Sequence, residues 1–180
     1  CALEAINLEP GDEVICSPWT MSASAISILH WNAIPVLVDI NYNNFQLDID
    51  QLKRKITKKT KAIMAVDIFG QSENIKELKK ISKKYNLKII SDSAQSPYSF
   101  LKGKLAGTMT DIGGYSLNCH KHINTGEGGI LVTNNGKFAK KLRLIRNHAE
   151  SCVDNKTPIK DLSSMLGYNF RLGEIESAIG

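Results

Sequence analysis

Hydrophobic and polar positions alternate along this chain with two different periods. Short apolar runs such as "DEVICS", "IPVLVDI" and "KAIMAVDI" have the length and the β-branched composition of buried strands. Between them lie stretches in which apolar residues recur every three or four positions, as they do in amphipathic helices. Strands that alternate with helices predict a single α/β domain with a mostly parallel sheet.

The helical stretches also carry start signals and a clear apolar face. Asp48 precedes "IDQLKRKI" and is a candidate N-cap. A second helix is expected from about residue 74 to 85. Its apolar face is formed by Ile75, Leu78, Ile81 and Tyr85. A third is expected from about residue 136 to 146, and its buried residues are Phe138, Ala139, Leu142 and Ile145.

Two predicted strands end at residues whose side chains could take part in catalysis or ligand binding. The run "LKIISDSAQ" places Asp92 at or just past the carboxyl end of a strand, where open α/β sheets bind their ligands. The glycine-rich run "DIGGYSL" ends near Ser116, and the segment "NCHKHINTGEGG" follows before the next strand, "GGILVTNN". This edge of the sheet is therefore the place to look for a site.

Composition and charge limit the kinds of partner and location that are expected for this chain. The net charge of +5 and the pI of about 9.0 make nucleic acid a binding partner to consider. The lysines, however, are concentrated in "LKRKITKKTK" and "IKELKKISKKYNLK", where they occupy helix faces without interleaved aromatic residues, so no nucleic-acid partner is expected. No apolar run approaches the roughly 20 residues of a membrane span. Four widely spaced cysteines favour a reducing, cytoplasmic location.

Lys121 is the candidate for covalent chemistry. A deprotonated lysine amine can form a Schiff base with a carbonyl, and the commonest biological carbonyl for this purpose is pyridoxal phosphate (PLP). That cofactor needs a carboxylate for its ring nitrogen, polar contacts for the ring and a hydroxyl for its phosphate. Asp92, Gln95 and Ser116 are candidates for these three tasks, and the glycines after Lys121 allow a close turn.

Each of these residues also has an ordinary interpretation. An aspartate after a strand often caps a helix, a serine often satisfies nearby backbone, and a lysine beside glycines is commonly a solvated surface residue. His120 and His122 flank Lys121 and raise the question of a metal. Residues two apart do not share a helix face and no neighbouring cluster completes a ligand shell, so no metal site is expected.

The order of motifs resembles a known family. The matching segments are "GDEVI", "TMSAS", "PVLVDI", "KTKAIMAVDIFGQ", "SDSAQ", "GGYSL", "HKHINTGEGG", "LRLIRNH" and "GYNFRLGEIESAIG". In this order they resemble the DegT/StrS-type PLP-dependent nucleotide-sugar aminotransferases over the whole chain. The resemblance implies a three-layer α/β/α sandwich, the large domain of fold type I. It also implies that residues 1–180 are one PLP-binding domain truncated at both ends, without the phosphate loop and the C-terminal small domain.

Residue by residue, the resemblance makes Lys121 the Schiff-base lysine, Asp92 the partner of the ring nitrogen, Gln95 a ring contact and Ser116 a phosphate ligand. These roles coincide with the chemical interpretation above. The resemblance also implies a homodimer, because the family's asparagine that matches Asn169 reaches the phosphate in the neighbouring subunit.

One position departs from the family pattern. Met21 stands where the family usually has an aromatic residue stacked on the cofactor ring, and Trp19 lies two residues earlier. A thioether can also pack on a ring face. Either side chain could therefore cover the ring.

The resemblance implies transfer of an amino group, from glutamate, to a keto nucleotide-sugar in surface-polysaccharide or antibiotic-sugar biosynthesis. Related sugar dehydratases carry histidine in place of the lysine, but the five-residue step from Ser116 to Lys121 matches the aminotransferases. A dehydratase and a non-catalytic regulatory module that keeps the fold remain alternatives. Arg146, Asn147 and His148 could line the substrate site or could complement a helix C-terminus.

Overall fold

The computed structural model describes residues 1–150 and 165–180. Within these ranges the strands are β1 (Glu13–Cys16), β2 (Ile34–Leu37), β3 (Thr60–Val66), β4 (Lys88–Asp92), β5 (Phe100–Leu101), β6 (Lys104–Leu105), β7 (Ile112–Ser116) and β8 (Gly129–Val132). Six of them form one sheet in the order β2-β1-β3-β4-β7-β8. All neighbours in this sheet are parallel except β8, which is antiparallel to β7.

The helices connect and cover these strands. They are α1 (Ala2–Ala5), α2 (Ala23–His30), α3 (Ile49–Lys55), α4 (Ile75–Tyr85), α5 (Gly136–Arg146) and α6 (Glu174–Ile179), with a 3-10 turn at Ile68–Gly70. None of the described helices has the length and apolar character needed to span a membrane.

Two apolar cores lie on opposite faces of the sheet. In β1, Val14 belongs to the core beneath α1, α2 and α5, whereas the next residue, Ile15, belongs to the core beneath α3 and α4. The same alternation in β4 assigns Ile90 to the first core and Ile89 to the second. Side chains of a strand point alternately to its two faces, so a buried strand fills both cores. The predicted three-layer α/β/α architecture with a mostly parallel sheet is confirmed.

The capping and periodicity predictions hold for the helices. Asp48 accepts hydrogen bonds from the backbone N–H groups of Asp50 and Gln51, both at 2.9 Å, at the start of α3. The expected helix from about residue 74 is α4, where Asn74 is the N-cap. The third helix is α5, with the bounds that the sequence predicted.

Some apolar positions are less buried than expected. Tyr85 is the last residue of α4 and is 39% exposed, because the helix end extends beyond the apolar core that covers Ile75, Leu78 and Ile81. In α5, Leu142 and Ile145 are buried. Phe138 and Ala139 are only half-buried, because they lie in the first turn of the helix at the margin of the core.

The antiparallel hairpin of β5 and β6 was not predicted. Each of its strands has two residues, which is too short for a period of two to be visible. Cys1, Cys16 and Cys119 are free thiols, and Cys152 lies outside the described residues.

Candidate active site

Two of the predicted site residues end adjacent parallel strands. Asp92 is the last residue of β4 and pairs with Gly114 of β7, and Ser116 is the last residue of β7. Paired residues of neighbouring strands point to the same face, and so do residues two apart on one strand. Asp92 and Ser116 therefore point to the same face, the one covered by α1, α2 and α5, and are offset along the strands by roughly 7 Å.

The carboxylate of Asp92 is held from two directions. The Ser24 hydroxyl on α2 donates to its Oδ2 at 2.7 Å, and the Ala94 backbone N–H donates to its Oδ1 at 3.1 Å. Ser24 Oγ also lies 3.0 Å from Thr20 Oγ1, which must act as the donor because the Ser24 proton is committed to Asp92. Each carboxylate oxygen keeps a further lone pair, so Asp92 is oriented and can still accept a bond from a cationic N–H.

Gln95 lies in the turn that follows Asp92. Its Oε1 accepts a hydrogen bond of 3.4 Å from the backbone N–H of Phe69, a residue in the left-handed region at φ 53°. The Phe69 ring is 6.2 Å from Phe45, which is 6.2 Å from Trp19. Gln95 is thus anchored through its oxygen beside a row of exposed aromatic side chains.

Met21 lies two residues before the start of α2 and is 65% exposed. Its Sδ accepts a hydrogen bond of 3.3 Å from the Ala23 backbone N–H. Trp19 is 49% exposed and stacks on Phe45. Both side chains are accessible, and which of them covers a cofactor ring stays a prediction.

Residues 117–128 form the loop that joins β7 to β8. Its base is closed by hydrogen bonds from Leu117 N to Gly128 O at 2.9 Å and from Thr125 N to Leu117 O at 3.0 Å. Asn118 organises the interior of the loop, because its Nδ2 donates to Glu127 Oε1 at 2.8 Å and its Oδ1 accepts from the backbone N–H of His120. The loop is therefore shaped largely by its own residues.

Lys121 is half-buried within this loop, between the exposed His120 and His122. Its backbone N–H donates to Asn118 O at 2.9 Å, whereas no hydrogen bond or ion pair reaches its Nζ from the residues that the structure describes. Ser116 Oγ accepts from Asn118 N at 3.2 Å and keeps its own proton for another acceptor. Together these residues offer a free amine and a free hydroxyl donor.

Asn169 makes its described contacts at the end of α5. It is exposed and forms an isolated antiparallel bridge with Asn147, just beyond α5. No hydrogen bond joins it to Asp92, Ser116 or Lys121. The described hydrogen bonds thus do not join Asn169 to this group, and its action in a partner subunit stays a prediction.

The residues at the end of α5 fix the segment that carries Asn169. The backbone N–H of His148 donates to Tyr168 O at 2.9 Å, and Phe170 N donates to Arg146 O at 2.9 Å. Asn147 Oδ1 accepts from Arg171 Nη1 at 2.5 Å. These contacts give Arg146, Asn147 and His148 a structural role, and a part in substrate binding stays a prediction.

Two buried acids lie beneath the site and were not singled out from the sequence. Asp67, directly after β3, is fully buried, and Glu73 is 2% exposed. Burial raises the pKa of Asp67, an effect that a hydrogen bond from Ser93 opposes. Burial also raises the pKa of Glu73, to about 7, and backbone N–H donors oppose this shift. In the sequence both acids resemble ordinary loop residues.

A cavity of about 1240 Å³ lies elsewhere, between α1, β8, α5 and the segment that leads into α6. Asp92, Ser116 and Lys121 are not among its lining residues. We place the candidate site at the sheet edge because the carboxylate and the hydroxyl are there and the loop that carries Lys121 begins there. The described residues contain no group of three or more His, Cys, Asp or Glu arranged to hold a metal ion.

Comparison with known proteins identifies relatives over the whole chain. The sequence matches the model of the DegT/DnrJ/EryC1/StrS aminotransferase family over residues 1–180. It is 37% identical to GDP-perosamine synthase from Caulobacter vibrioides over 179 residues, which cover 99% of this chain and 47% of that protein. The chain thus spans about half the length of the curated relatives it matches.

Solved structures give the same result. The aminotransferase from Psychrobacter cryohalolentis has a TM-score of 0.90 at 29% identity, over 99% of this chain and 47% of that chain. The protein ntda from Bacillus subtilis with bound cofactor PMP has a TM-score of 0.85 at 32% identity, over 99% of this chain and 39% of that chain. The chain belongs to the DegT/DnrJ/EryC1/StrS aminotransferase family, whose members are PLP-dependent.

Proposed function

We propose that the full-length protein carrying this chain is a PLP-dependent aminotransferase that transfers an amino group from glutamate to a keto nucleotide-sugar. Its product would enter surface-polysaccharide or antibiotic-sugar biosynthesis. The observation that carries this proposal is the placement of the Asp92 carboxylate and the Ser116 hydroxyl at one sheet edge, where the loop that carries Lys121 begins. The matched family and its nucleotide-sugar relatives support the substrate class.

The donor set fits PLP. An oriented carboxylate suits a protonated ring nitrogen, a serine hydroxyl suits a phosphate oxygen, and a free lysine amine suits the aldehyde. When bound, PLP supplies a carbonyl that takes up the amino group and a ring that withdraws electrons. We further propose that residues 1–180 are the large, cofactor-binding domain of the protein.

Asp92 acts as a fixed negative charge. Opposite charges favour one another's ionised forms, so the Asp92 carboxylate would keep the ring nitrogen of bound PLP protonated. Because Ser24 and Ala94 already orient Asp92, little reorganisation is needed when charge develops during the reaction. Ser116 contributes a hydrogen bond that anchors the phosphate end.

Lys121 moves the proton. Its Nζ, once neutral, takes the proton from the α-carbon of the amino acid and later delivers one to the carbon that becomes aminated. The amine must reach two positions. No hydrogen bond or ion pair from the described residues restrains Nζ, so the side chain can move between them.

Glutamate alone provides a direct test. Full-length protein loaded with PLP is mixed with glutamate, without any sugar, and 2-oxoglutarate is measured by mass spectrometry. We expect about one 2-oxoglutarate per bound cofactor, and none from the Lys121→Ala variant. A protein that binds PLP and yields no 2-oxoglutarate with glutamate would contradict glutamate as the donor.

We also propose a homodimer in which Asn169 acts in the partner's site. The exposure of Asn169 and the family resemblance at this position support this arrangement. Mixing the inactive Lys121→Ala and Asn169→Ala proteins should then restore activity, because one shared site per heterodimer is intact. No restoration, although mixed dimers form, would contradict shared sites. Since nucleotide sugars are made in the cytoplasm, the reaction also favours a cytoplasmic location.

A further inference from the structure

We propose that Asp67 is a positioning residue, whose buried carboxylate fixes the turn of residues 92–96 and thereby the orientation of Asp92 and Gln95 toward the cofactor. This inference rests on the proposed function. The Asp67 side chain makes no hydrogen bond to the side chain of Asp92 or Gln95, so its hydrogen bonds act on these two residues through the turn.

The backbone of Asp67 is joined to the turn at both of its ends. Its N–H donates to the carbonyl of Asp92 at 2.9 Å, which continues the parallel pairing of β3 with β4 by one residue. Its carbonyl accepts a hydrogen bond from the hydroxyl of Ser96. The first and last residues of the turn are thus bonded to the same residue.

The side chain holds the middle of the turn. Ser93 Oγ donates to Asp67 Oδ2 at 2.6 Å, and Ser93 is fully buried. The other oxygen, Oδ1, accepts from the backbone N–H of Glu73 at 2.9 Å. Because Ser93 directly follows Asp92, a fixed Ser93 limits the rotation of the Asp92 backbone and the direction of its carboxylate.

A third element completes the support. Ser93 N donates to Gly114 O on β7 at 2.8 Å, and Ser24 reaches Asp92 from α2. The turn is therefore bonded to the end of β3, to β7 and to α2. Asp67 is the only one of these partners that is an acid, and burying an acid is costly unless its hydrogen bonds are satisfied. Here both oxygens have donors.

The neighbouring buried acid offers a matched control. Glu73 is almost as buried as Asp67, but its side chain bonds to residues outside the turn, accepting from Leu47 N at 3.0 Å and Asn74 N at 3.3 Å. Changing the Glu73 side chain leaves its backbone N–H, which Asp67 uses, in place. Glu73→Gln and Asp67→Asn are therefore alike in chemistry and burial, and only the second touches the turn.

The test compares PLP binding in four full-length variants: Asp67→Asn, Ser93→Ala, the double variant and Glu73→Gln. PLP affinity is measured by titrating the apoproteins, stability by urea unfolding without PLP, and the site's electrostatics by the pH midpoint of the bound cofactor's absorbance. Losing partners that orient ligating groups costs about tenfold or more in affinity at metal sites. We expect a loss of about tenfold for Asp67→Asn and Ser93→Ala, and a shift of the absorbance midpoint by about half a pH unit.

The double variant should lose no more affinity than the worse single variant, because both changes break the same hydrogen bond. Glu73→Gln should bind PLP within about twofold of the unchanged protein and keep its absorbance midpoint. Two results would overturn the inference. The first is an Asp67→Asn variant with the PLP affinity and the absorbance midpoint of the unchanged protein. The second is a loss of PLP affinity in all four variants, Glu73→Gln included, in proportion to their loss of unfolding free energy. If the unchanged protein binds no PLP, the proposed function fails as well.

Discussion

The two sides of the candidate site are held in different ways. The turn of residues 92–96 is bonded to β7, to α2 and to the end of β3, and its Ser93 and Ser96 are fully buried. The loop of residues 117–128 is closed mainly by bonds among its own residues, and His120, His122 and Gly126 in it are exposed. The turn is held by neighbouring strands and a helix, whereas the loop is held largely by hydrogen bonds among its own residues.

This difference matches the tasks proposed for the two sides. A charge that stabilises a charged ring works best when it is oriented before the reaction, which the buried turn provides. An amine that must take a proton from one atom and deliver it to another needs freedom to move. Among the described residues no hydrogen bond or ion pair restrains Lys121 Nζ, which is consistent with that freedom. Substitutions on the fixed side should therefore lower mainly the stability, and substitution of Lys121 in the loop should lower mainly the activity.

The largest effect is expected at Lys121. Lys121→Ala should lower the rate of amino transfer by about 10⁴-fold, because proton transfer by a positioned side chain contributes up to about that factor. Its free energy of unfolding should change by less than about 0.5 kcal/mol, since no described contact reaches Nζ. His122→Ala is the control from the same loop and should keep near-normal rates. A rate within tenfold of normal for Lys121→Ala would remove the lysine from the mechanism.

The second effect concerns the packing of β7, the strand to which the turn of residues 92–96 is bonded. A Cβ on Gly113 in β7 would lie 2.0 Å from the carbonyl oxygen of Gly107, so Gly113→Ala should lower the free energy of unfolding by about 4 kcal/mol. Gly126→Ala, in the lysine loop, meets no atom within 4 Å and should cost only about 1 kcal/mol for its φ of +87°. Urea unfolding measures both. Equal losses would mean that the loop is as constrained as the sheet.

Gly136→Ala is the matched control for these two changes. Gly136 is the first residue of α5, and a Cβ there also meets no atom within 4 Å, without a left-handed φ. The substitution should leave the stability unchanged or raise it by up to about 1 kcal/mol.

The third effect is a pH dependence of stability from Glu73. Its pKa is raised from 4.5 to about 7, so between these values the folded protein binds more protons than the unfolded chain. Stability therefore falls as the pH rises through this window, and Glu73 should account for about 3 kcal/mol of the decrease. Urea unfolding of the unchanged protein and of Glu73→Gln at pH 5 and pH 8 isolates this contribution. A difference between the two proteins that does not vary with pH would contradict the raised pKa.

Local signals predicted most of the fold. Apolar runs gave the six strands of the main sheet, and the residue type and position of Asp48 identified it as a helix cap. The position of Asp92 followed from the end of an apolar run. The β5 and β6 hairpin escaped because its strands are too short to show a period.

The supporting residues of the site could not be predicted in the same way. Ser24 reaches Asp92 across 68 positions in the chain, and in the sequence it is one of several small polar residues at the start of α2. Asp67 and Glu73 become unusual only once the fold buries them. The roles expected for Met21 and Asn169 came from the family resemblance and not from any pattern of spacing.

The most direct test of the proposed site is to locate the lysine that bonds the cofactor. Full-length protein is loaded with PLP, reduced with borohydride and digested, and the modified peptide is identified by mass. We expect the cofactor's mass on Lys121, and no labelled peptide from Lys121→Ala. Bound PLP with Lys121 unmodified would contradict the aminotransferase proposal and favour the dehydratase, and a protein that binds no PLP would favour the non-catalytic module.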